Sequence, residues 1–386
     1  MTHLNVWQDK YAMRRPRRML ALDGGGILGS ITLEMLREIE AELAIKTDLG
    51  DDFRMGDWFD YIGGTSTGSI IATGLAIGMK VQELIDIYRD HGEAMFTKRW
   101  FWKQGRSFYE KGPLVDMLKE VLGNRTLGAE DLRCLLLVVT RNATTDSPWP
   151  LSNNPFAKYN DRSREDCNLN IPLWELVRAS TAAPVFFTPE QIALEENRSF
   201  TFVDGGITPY NNPAYLMYRM ATLPQYGLFW PTGEDNLMIV SVGTSAADKI
   251  NLDIDEQGQF VTSNLKTLPG VLMAGTNVEQ DINCRTIGRC VFGKQIDREL
   301  GDLIPRHGHP LTGQEIALNQ DCGRHFLYAR FDPDVGPEGL ADLGVTGVDA
   351  EKDLVMDNVA GMPKMREVGR AYANKYVNIK PFERFI

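Results

Sequence analysis

Two short segments, residues 135–139 and 237–242, are almost continuously apolar instead of alternating between apolar and polar residues. Strands of this kind are covered on both faces, as in a parallel sheet that lies between layers of helices. Similar runs at 19–22, 58–62 and 200–203 predict three further buried strands. Because helical stretches separate these runs, the chain is predicted to fold as an α/β protein with a mostly parallel central sheet.

Between the predicted strands, apolar residues recur at the spacing that gives a helix one buried face. These residues are Leu36, Ile39 and Leu43, then Val81, Leu84, Ile85 and Tyr88, then Leu114, Met117, Leu118, Val121 and Leu122. A last amphipathic helix is predicted from about Met362 to Tyr376. We divide the chain into a basic lead-in (1–16), a main domain (17–245) and a C-terminal extension packed on the core (246–386).

The chain of 386 residues carries a formal net charge of −11. An acidic chain is a poor candidate for nucleic-acid binding, so no nucleic-acid partner is expected. One segment, 13–18, is basic and contains four arginines. Two interpretations of it stay open: a solvated lead-in to the first strand, or contact with an anionic membrane surface. Five cysteines without a C-x-x-C pair suggest neither a disulfide framework nor a zinc site, so no metal is expected.

No apolar run approaches the length of a membrane span, and residues 2–10 are too polar for a signal peptide. The expected location is therefore the cytoplasm, with peripheral contact at the inner face of the membrane as a further hypothesis. The segment 96–106 bears on that hypothesis because Trp100, Phe101 and Trp102 stand among four basic residues. This pattern suits a membrane interface or a mobile lid, although aromatic packing under a loop explains it as well.

The first motif, Asp23-Gly-Gly-Gly-Ile-Leu-Gly29, follows the first predicted strand and precedes a helix. The backbone N–H groups of Gly24, Gly25 and Gly26 can point at an anion above the helix N-terminus. That anion is either a phosphate or a reaction oxyanion. The spacing of Gly24, Gly26 and Gly29 also satisfies the dinucleotide-binding fingerprint. The acidic residue that this fingerprint requires after the second strand is absent, which counts against the nucleotide hypothesis.

The second motif is Gly64-Thr-Ser66-Thr-Gly68, a G-x-S-x-G between a predicted strand and a predicted helix. This context is the one in which such a serine acts as a nucleophile. Gly64 and Gly68 are needed because side chains would collide in so tight a turn. The following helix and the N–H of Thr67 favour negative charge beside Ser66. The alternative is a glycine-rich turn with a passive serine.

The third motif, Asp204-Gly205-Gly206, ends the predicted strand at 200–203. It is either a turn aspartate that caps its own loop or a carboxylate delivered to the edge of the sheet where Ser66 lies. A buried carboxylate has a raised pKa and can take the proton of a serine directly. A dyad of Ser66 and Asp204 suits esters better than amides, because an alkoxide-type leaving group needs less acid assistance.

A histidine is the usual base of a serine nucleophile. The five histidines of the chain are His3, His91, His307, His309 and His325. Only the last three follow Asp204 in the Ser–Asp–His order of an ordinary α/β-hydrolase. His307 and His309 lie in a stretch rich in Gly and Pro, which is typical of a surface loop. Both a Ser–Asp dyad and a triad that uses one of these histidines remain open at this point.

The three motifs, in this order, resemble those of the patatin-like phospholipase family. That family has a D-G-G-G-x-R/K-G motif, a G-x-S-x-G nucleophile and a D-G-A/G motif. The segment 179–187, Ala-Ser-Thr-Ala-Ala-Pro-Val-Phe-Phe, also resembles the family's A-S-x-A-A-P-x-x-F stretch. The resemblance extends from about Arg17 to Ser245. One position departs from the pattern, because Leu28 occupies the place of the family's Arg or Lys and removes a cation that a phosphate head group would meet.

The resemblance implies a three-layer α/β/α fold and a Ser–Asp dyad without histidine. It implies that Ser66 is the nucleophile and Asp204 the base, with Gly24, Gly25 and Gly26 as oxyanion donors. On this basis residues 17–245 are the catalytic domain of a lipid acyl hydrolase of the phospholipase A type, acting on membrane lipids without a cofactor.

Residues 246–386 lie outside the resemblance, and a lid or the site of a small-molecule activator is a hypothesis for them. Bacterial members of the family that work as effectors under nucleotide control suggest the activator. Two other functions stay open: a nucleotide-binding protein that uses the glycine loop, and a catalytically silent scaffold for lipid or partner proteins.

Overall fold

The computed structural model describes residues 11, 15–95, 112–184, 187–195, 198–245, 261–304 and 323–386. A single sheet of nine strands forms the centre of this part of the chain. The strands are β1 (Arg17–Leu22), β2 (Tyr61–Thr65), β3 (Leu135–Asn142), β4 (Ser147–Ser152), β5 (Glu190–Glu195), β6 (Arg198–Asp204), β7 (Leu237–Val242), β8 (Arg289–Phe292) and β9 (Leu327–Phe331).

The central strands run in the order β3-β2-β1-β7-β9-β8, and every neighbouring pair among them is parallel. Three strands are antiparallel to their partners: β4 and β6 pair with β3, and β5 pairs with β6. The sheet is therefore mostly parallel, as predicted.

Helices cover both faces of the sheet. They are α1 (Gly29–Lys46), α2 (Met55–Trp58), α3 (Thr67–Ala76), α4 (Val81–Met95), α5 (Gly112–Leu122), α6 (Leu173–Ser180), α7 (Ala214–Thr222), α8 (Val261–Ile287), α9 (Pro337–Asp342), α10 (Ala350–Asp353) and α11 (Met362–Tyr376). Short 3-10 turns connect several of these helices.

Alternate residues of the parallel strands β1, β2, β3, β7 and β9 enter two separate hydrophobic cores, one on each face of the sheet. In β1, for example, Leu20 and Leu22 enter the core that α1, α3, α4, α5, α6 and α11 complete. Met19 and Ala21 enter the opposite core, which contains residues of α7 and Cys284 of α8. Because successive side chains of a strand point to opposite faces, two covered faces need strands that are apolar throughout. The fold is a three-layer α/β/α arrangement, which confirms the predicted fold class.

One predicted strand is misplaced. The run 58–62 was expected to be a strand, but Trp58 ends the short helix α2 and β2 begins at Tyr61. The strand instead continues through Gly63 and Gly64 to Thr65. Glycine inside the strand has a steric reason: a Cβ on Gly63 would lie 2.6 Å from Met217 Sδ, where helix α7 packs on β2.

The C-terminal part of the chain contributes two strands to the central sheet. β9 pairs with β7 in parallel, from Met238 opposite Leu327 to Val242 opposite Phe331, and β8 pairs with β9. Helix α11 has the bounds predicted from the sequence, and its Met365, Val368 and Tyr372 are buried. The division at residue 245 remains a prediction, but the sheet continues beyond it.

The basic segment before β1 is bound to one buried carboxylate. Asp60 forms ion pairs with Arg15, Arg17 and Arg18, and its side chain is 2% exposed. Arg17 is itself fully buried, and Arg18 also donates to the carbonyl of Phe385 at 3.2 Å. Arg17 is therefore part of the buried structure, whereas the side chains of Arg15 and Arg18 stay 38% and 17% exposed. Contact of this segment with a membrane surface stays a prediction.

Candidate active site

Ser66 occupies a sharp turn between β2 and α3. Its backbone has φ 51° and ψ −123°, a conformation that residues other than glycine rarely adopt. A Cβ on Gly64 would lie 2.0 Å from the carbonyl oxygen of Gly68, and one on Gly68 would lie 2.3 Å from that of Leu22. Both motif glycines are therefore required by close backbone contacts. Strain of this kind, held in place by tight packing, is common where a nucleophile is presented.

The hydroxyl of Ser66 donates a hydrogen bond to Asp204, with 2.6 Å between Ser66 Oγ and Asp204 Oδ2. Strand register explains the contact. On one edge of β3, Thr65 of β2 pairs with Val139, and Asp204 of β6 pairs with the next residue, Thr140. Since β6 is antiparallel to β3, its carboxyl end meets the carboxyl end of β2 head-on. The structure thus brings the two predicted residues together at one edge of the sheet.

Asp204 is 3% exposed. Burial raises the pKa of its carboxyl to about 6, while hydrogen bonds from Ser66 and from the Gly206 N–H and the nearby charge of Arg178 oppose the rise. The Gly206 N–H donates to Asp204 Oδ1 at 2.6 Å, which leaves Oδ2 for Ser66. A carboxylate with this pKa is ionised at neutral pH and is a stronger base than a carboxylate in water.

Ser180 holds the backbone of the nucleophile turn, a role that the sequence did not reveal. Its Oγ accepts from the Ser66 N–H at 2.9 Å and donates to the carbonyl of Val139 at 2.7 Å. Ser180 is fully buried at the end of α6, within the segment 179–187 singled out above. Through Ser180, that segment contacts the backbone of Ser66 directly. In the sequence, only the presence of a small hydroxyl residue in this segment could have indicated the contact.

The glycine loop after β1 lies against Ser66. A Cβ on Gly24 would come within 3.2 Å of Ser66 Cβ. The Gly24 N–H donates to the carbonyl of Asn211 at 3.2 Å in this structure. The oxyanion-donor role of Gly24, Gly25 and Gly26 stays a prediction, and Gly24 would have to exchange this bond to take part in it. Gly26 has φ +61°, and a Cβ there would lie 2.3 Å from the carbonyl oxygen of Met356, so only glycine fits.

Thr67 is the first residue of α3, where backbone N–H groups have no partner within the helix. Its side chain is hydrogen-bonded to Tyr88 of α4, and both residues are buried. A Cβ on Gly29 would lie 2.6 Å from Thr67 Oγ1, so this motif glycine provides close contact between the two helix starts. Thr67 is thus fixed beside Ser66 with its N–H at the positive end of the helix.

Leu28, the departure from the family pattern, is 4% exposed and belongs to the core on the α1 face. This position therefore adds hydrophobic packing. The remaining motif glycine, Gly205, packs on β3, where a Cβ would lie 2.3 Å from the carbonyl oxygen of Val139.

Two histidines lie among the described residues. The strands β2, β1, β7 and β9 are parallel neighbours in that order. His325 precedes β9 and Ser66 follows β2, so the two residues lie at opposite ends of the parallel strands. Its Nδ1 is 2.5 Å from the hydroxyl of Tyr218. His91 lies within α4, and no hydrogen bond joins it to Ser66 or Asp204. His3, His307 and His309, with the interface candidates Trp100, Phe101 and Trp102, lie outside the described residues.

No group of His, Cys, Asp or Glu side chains within the described ranges has an arrangement that could hold a metal ion. Nor does any helix there combine the length and apolar character needed to cross a bilayer.

The protein thus has a three-layer α/β/α fold with a serine on a strained strand–helix turn and a glycine loop beside it. A family model described as patatin-like phospholipase matches residues 20–218. The chain belongs to the patatin-like phospholipase family.

Three relatives show how far the similarity extends. The chain is 33% identical over 216 residues to a cGAMP-activated phospholipase of Escherichia coli, a match that covers 54% of this chain and 57% of that protein. It is 32% identical over 240 residues to a cGAMP-activated phospholipase of Vibrio cholerae, covering 59% and 64%. It is 24% identical over 252 residues to Patatin-T5 of Solanum tuberosum, covering 60% and 61%. The match thus spans less than two thirds of each relative.

Proposed function

We propose that this protein is a lipid acyl hydrolase of the phospholipase A type, in which Ser66 is the nucleophile and Asp204 the general base. The observation that carries the proposal is the 2.6 Å hydrogen bond from Ser66 Oγ to Asp204 Oδ2 in a buried setting. The pKa of about 6 for Asp204 supports it, because a base works best when its pKa is near the working pH.

In the acylation step, Ser66 Oγ attacks the carbonyl carbon of a fatty-acyl ester while Asp204 takes the hydroxyl proton. The negative charge then falls on the former carbonyl oxygen, which the N–H groups of Gly25, Gly26 and Thr67 stabilise. Collapse of this intermediate releases the alcohol of the lipid, which receives the proton from Asp204. A water molecule, deprotonated by Asp204, then attacks the acyl-enzyme. The fatty acid leaves, and Asp204 returns the proton to Ser66 Oγ.

An ester substrate fits the site better than an amide does. The acid formed in the first step is the carboxyl of Asp204, with a pKa of about 6, and no imidazolium stands beside Ser66 among the described residues. An alkoxide-type leaving group needs little more than this single proton. The lipid class is supported by membership in the patatin-like phospholipase family.

Control by a small molecule is the second element of the proposal. The two bacterial relatives are named for activation by cGAMP, and a cyclic dinucleotide is therefore the class of activator we propose for this chain. The test compares fatty-acid release from phospholipid vesicles with and without cGAMP over a range of concentrations. A rate that does not respond to cGAMP would remove this element while leaving the hydrolase proposal intact.

Two other functions receive less support. A dinucleotide-binding glycine loop needs an acidic residue at the end of the second strand, and β2 instead ends at Thr65 and is followed by Ser66. A silent scaffold would not need a nucleophile turn that keeps Ser66 at φ 51°.

The experiment that tests the proposal measures fatty-acid release from phospholipid vesicles. The variants are Ser66→Ala, Asp204→Asn and, as a matched control, Ser163→Ala on the surface. Release is expected from wild type and the control, with a loss of about 10³-fold or more in each of the other two. Vesicle hydrolysis that persists in Ser66→Ala would remove the nucleophile assignment.

A further inference from the structure

The C-terminal part of the chain reaches the glycine loop through one buried ion pair. Arg330 of β9 donates to Asp23 through both terminal nitrogens, with 2.8 Å from Nη1 to Oδ1 and 2.6 Å from Nη2 to Oδ2. The side chain of Arg330 is 2% exposed, and that of Asp23 is fully buried. Asp23 is the first residue of the glycine motif. Arg330 lies well beyond the region that the family model matches, which ends at residue 218.

Two further contacts join the later part of the chain to the same loop. Thr244 Oγ1 donates to the carbonyl of Gly24 at 3.0 Å. The Ile27 N–H donates to the carbonyl of Met356 at 3.0 Å, on the side where Gly26 lies against the same carbonyl. The loop is therefore held at its start by Arg330, in its middle by Thr244 and at its end by Met356.

Arg330 has a fixed position of its own. Its Nη1 also donates to Ser241 Oγ at 2.7 Å, and its Nη2 lies 3.4 Å from Asp332 Oδ2. Asp332 accepts from the Ser245 N–H at 3.0 Å and pairs with Lys294 at 3.3 Å. A planar guanidinium held on several sides fixes both the distance and the angle of the carboxylate that it binds.

We infer that Arg330 is a positioning residue for catalysis, which sets the oxyanion-binding conformation of the glycine loop through Asp23. The inference rests on the proposed hydrolase function. The hydrogen bonds and ion pairs of Arg330 go to Asp23, Ser241 and Asp332, and none of them joins it to Ser66 or Asp204. Arg330 instead affects the direction in which the Gly25 and Gly26 N–H groups point. This direction matters most when the oxyanion forms.

Stability alone is a weaker explanation of this pair. A buried ion pair contributes little net stability compared with apolar residues of the same size, because both charges lose their hydration. The pair instead fixes a position, because Arg330 binds both carboxylate oxygens of Asp23, the residue directly before the three glycines. Lysine, a single point charge, retains the attraction without the two-point geometry.

The chain offers a matched control. Arg285 is also fully buried and forms a two-point pair with Asp281, at 2.8 Å and 2.7 Å, as well as bonds to the carbonyls of Lys294 and Asp302. It makes no hydrogen bond to residues 23–29. Arg330→Lys and Arg285→Lys therefore disturb similar buried pairs, and only the first breaks a hydrogen bond to the glycine loop itself.

Three measurements on the full-length variants test the inference: kcat and KM on a soluble short-chain ester, thermal unfolding, and hydrogen exchange of the amides of residues 24–28. We expect Arg330→Lys to lower kcat about 10- to 100-fold with KM nearly unchanged, and to speed exchange in the loop. We expect Arg285→Lys to lower the unfolding temperature without either effect. Equal kcat losses in both variants, or a glycine loop whose exchange is unchanged in Arg330→Lys, would overturn the inference.

These outcomes also separate the inference from the function on which it rests. If wild type hydrolyses no ester either with or without cGAMP, the hydrolase proposal fails. Hydrogen exchange then still decides whether Arg330 sets the loop conformation, because it needs no turnover. If wild type is active and both loop exchange and kcat stay unchanged in Arg330→Lys, the inference alone fails.

Discussion

Ser66 and Asp204 are 138 residues apart in the sequence, and their side chains share a hydrogen bond of 2.6 Å. The contact depends on β3, because Thr65 and Asp204 pair with its successive residues Val139 and Thr140. A change that shifts either strand by one residue would turn one of the two side chains to the other face of the sheet. The geometry of the pair is thus a property of the sheet as much as of the two motifs.

The acid side of the pH profile follows from the pKa of Asp204, which burial raises to about 6. A general base must be unprotonated, so kcat/KM is expected to be constant above pH 7 and to fall below about pH 6. Burial also raises the pKa of Asp23 to about 6, against the opposing charge of Arg330, so two protons can contribute to the fall. The measurement is kcat/KM on a soluble ester from pH 4.5 to 8.5. A profile that stays flat down to pH 4.5 would exclude Asp204 as the base.

The same pKa predicts that Asp204 costs stability at neutral pH. Its folded-state pKa lies above the ordinary value of 3.8, so the folded protein binds the proton more tightly than the unfolded chain. Stability therefore falls as pH rises between about 4 and 6, and the loss is complete above that range. Asp204→Asn, which cannot ionise, is expected to be more stable than wild type by about 1–3 kcal/mol at pH 8 and nearly equal at pH 4. Urea unfolding at the two pH values checks this, and a variant that is less stable at pH 8 contradicts it.

Ser180→Ala is expected to lower both stability and reactivity, because it leaves the buried Ser66 N–H without its acceptor. The expected loss of stability is about 1–3 kcal/mol. We also expect Ser66 to react at least several times more slowly with a fluorophosphonate. Ser152→Ala is the control, since Ser152 is buried and accepts a hydrogen bond from Tyr61 away from the site. Equal labelling rates in the two variants would show that Ser180 supports the fold but not the nucleophile.

Asp60→Asn tests the buried arginine cluster. The substitution removes the charge that compensates Arg17, which is fully buried, and is expected to destabilise the protein by about 3–5 kcal/mol. Asp51→Asn provides the comparison, because Asp51 pairs with Lys80 on the surface and should cost less than about 1 kcal/mol. Denaturant unfolding measures both. A small loss in Asp60→Asn would mean that water or neighbouring groups stabilise Arg17 without Asp60.

Much of the fold was predictable because it is encoded in local patterns. The runs at 135–139 and 237–242 became β3 and β7, and the last helix has the predicted bounds, since both depend on periodicity within a few residues. Strand β4 was missed because Pro148 and Pro150 mask it, and an edge position tolerates them. Strand β9 was missed because the buried Arg330 interrupts its apolar run.

The candidate site was predictable where a motif carries its own geometry, as around Ser66. It was not predictable where a partner comes from far along the chain. The Gly24 N–H donates to the carbonyl of Asn211, and no sequence pattern near either residue predicts that bond. Asp23 has no local partner that would reveal its role, because Arg330 reaches it from a different strand. Long-range hydrogen bonds such as these depend on the assembled sheet and leave no trace in local spacing.

The measurement that tests the central claim most directly is the site and rate of covalent labelling by a fluorophosphonate, followed by peptide mapping. The account predicts one adduct, on Ser66 of the wild-type protein. It predicts no adduct in Ser66→Ala, and labelling at least 100-fold slower in Asp204→Asn, which keeps the shape of the base without its charge. An adduct on another serine, or wild-type labelling rates in Asp204→Asn, would contradict the account.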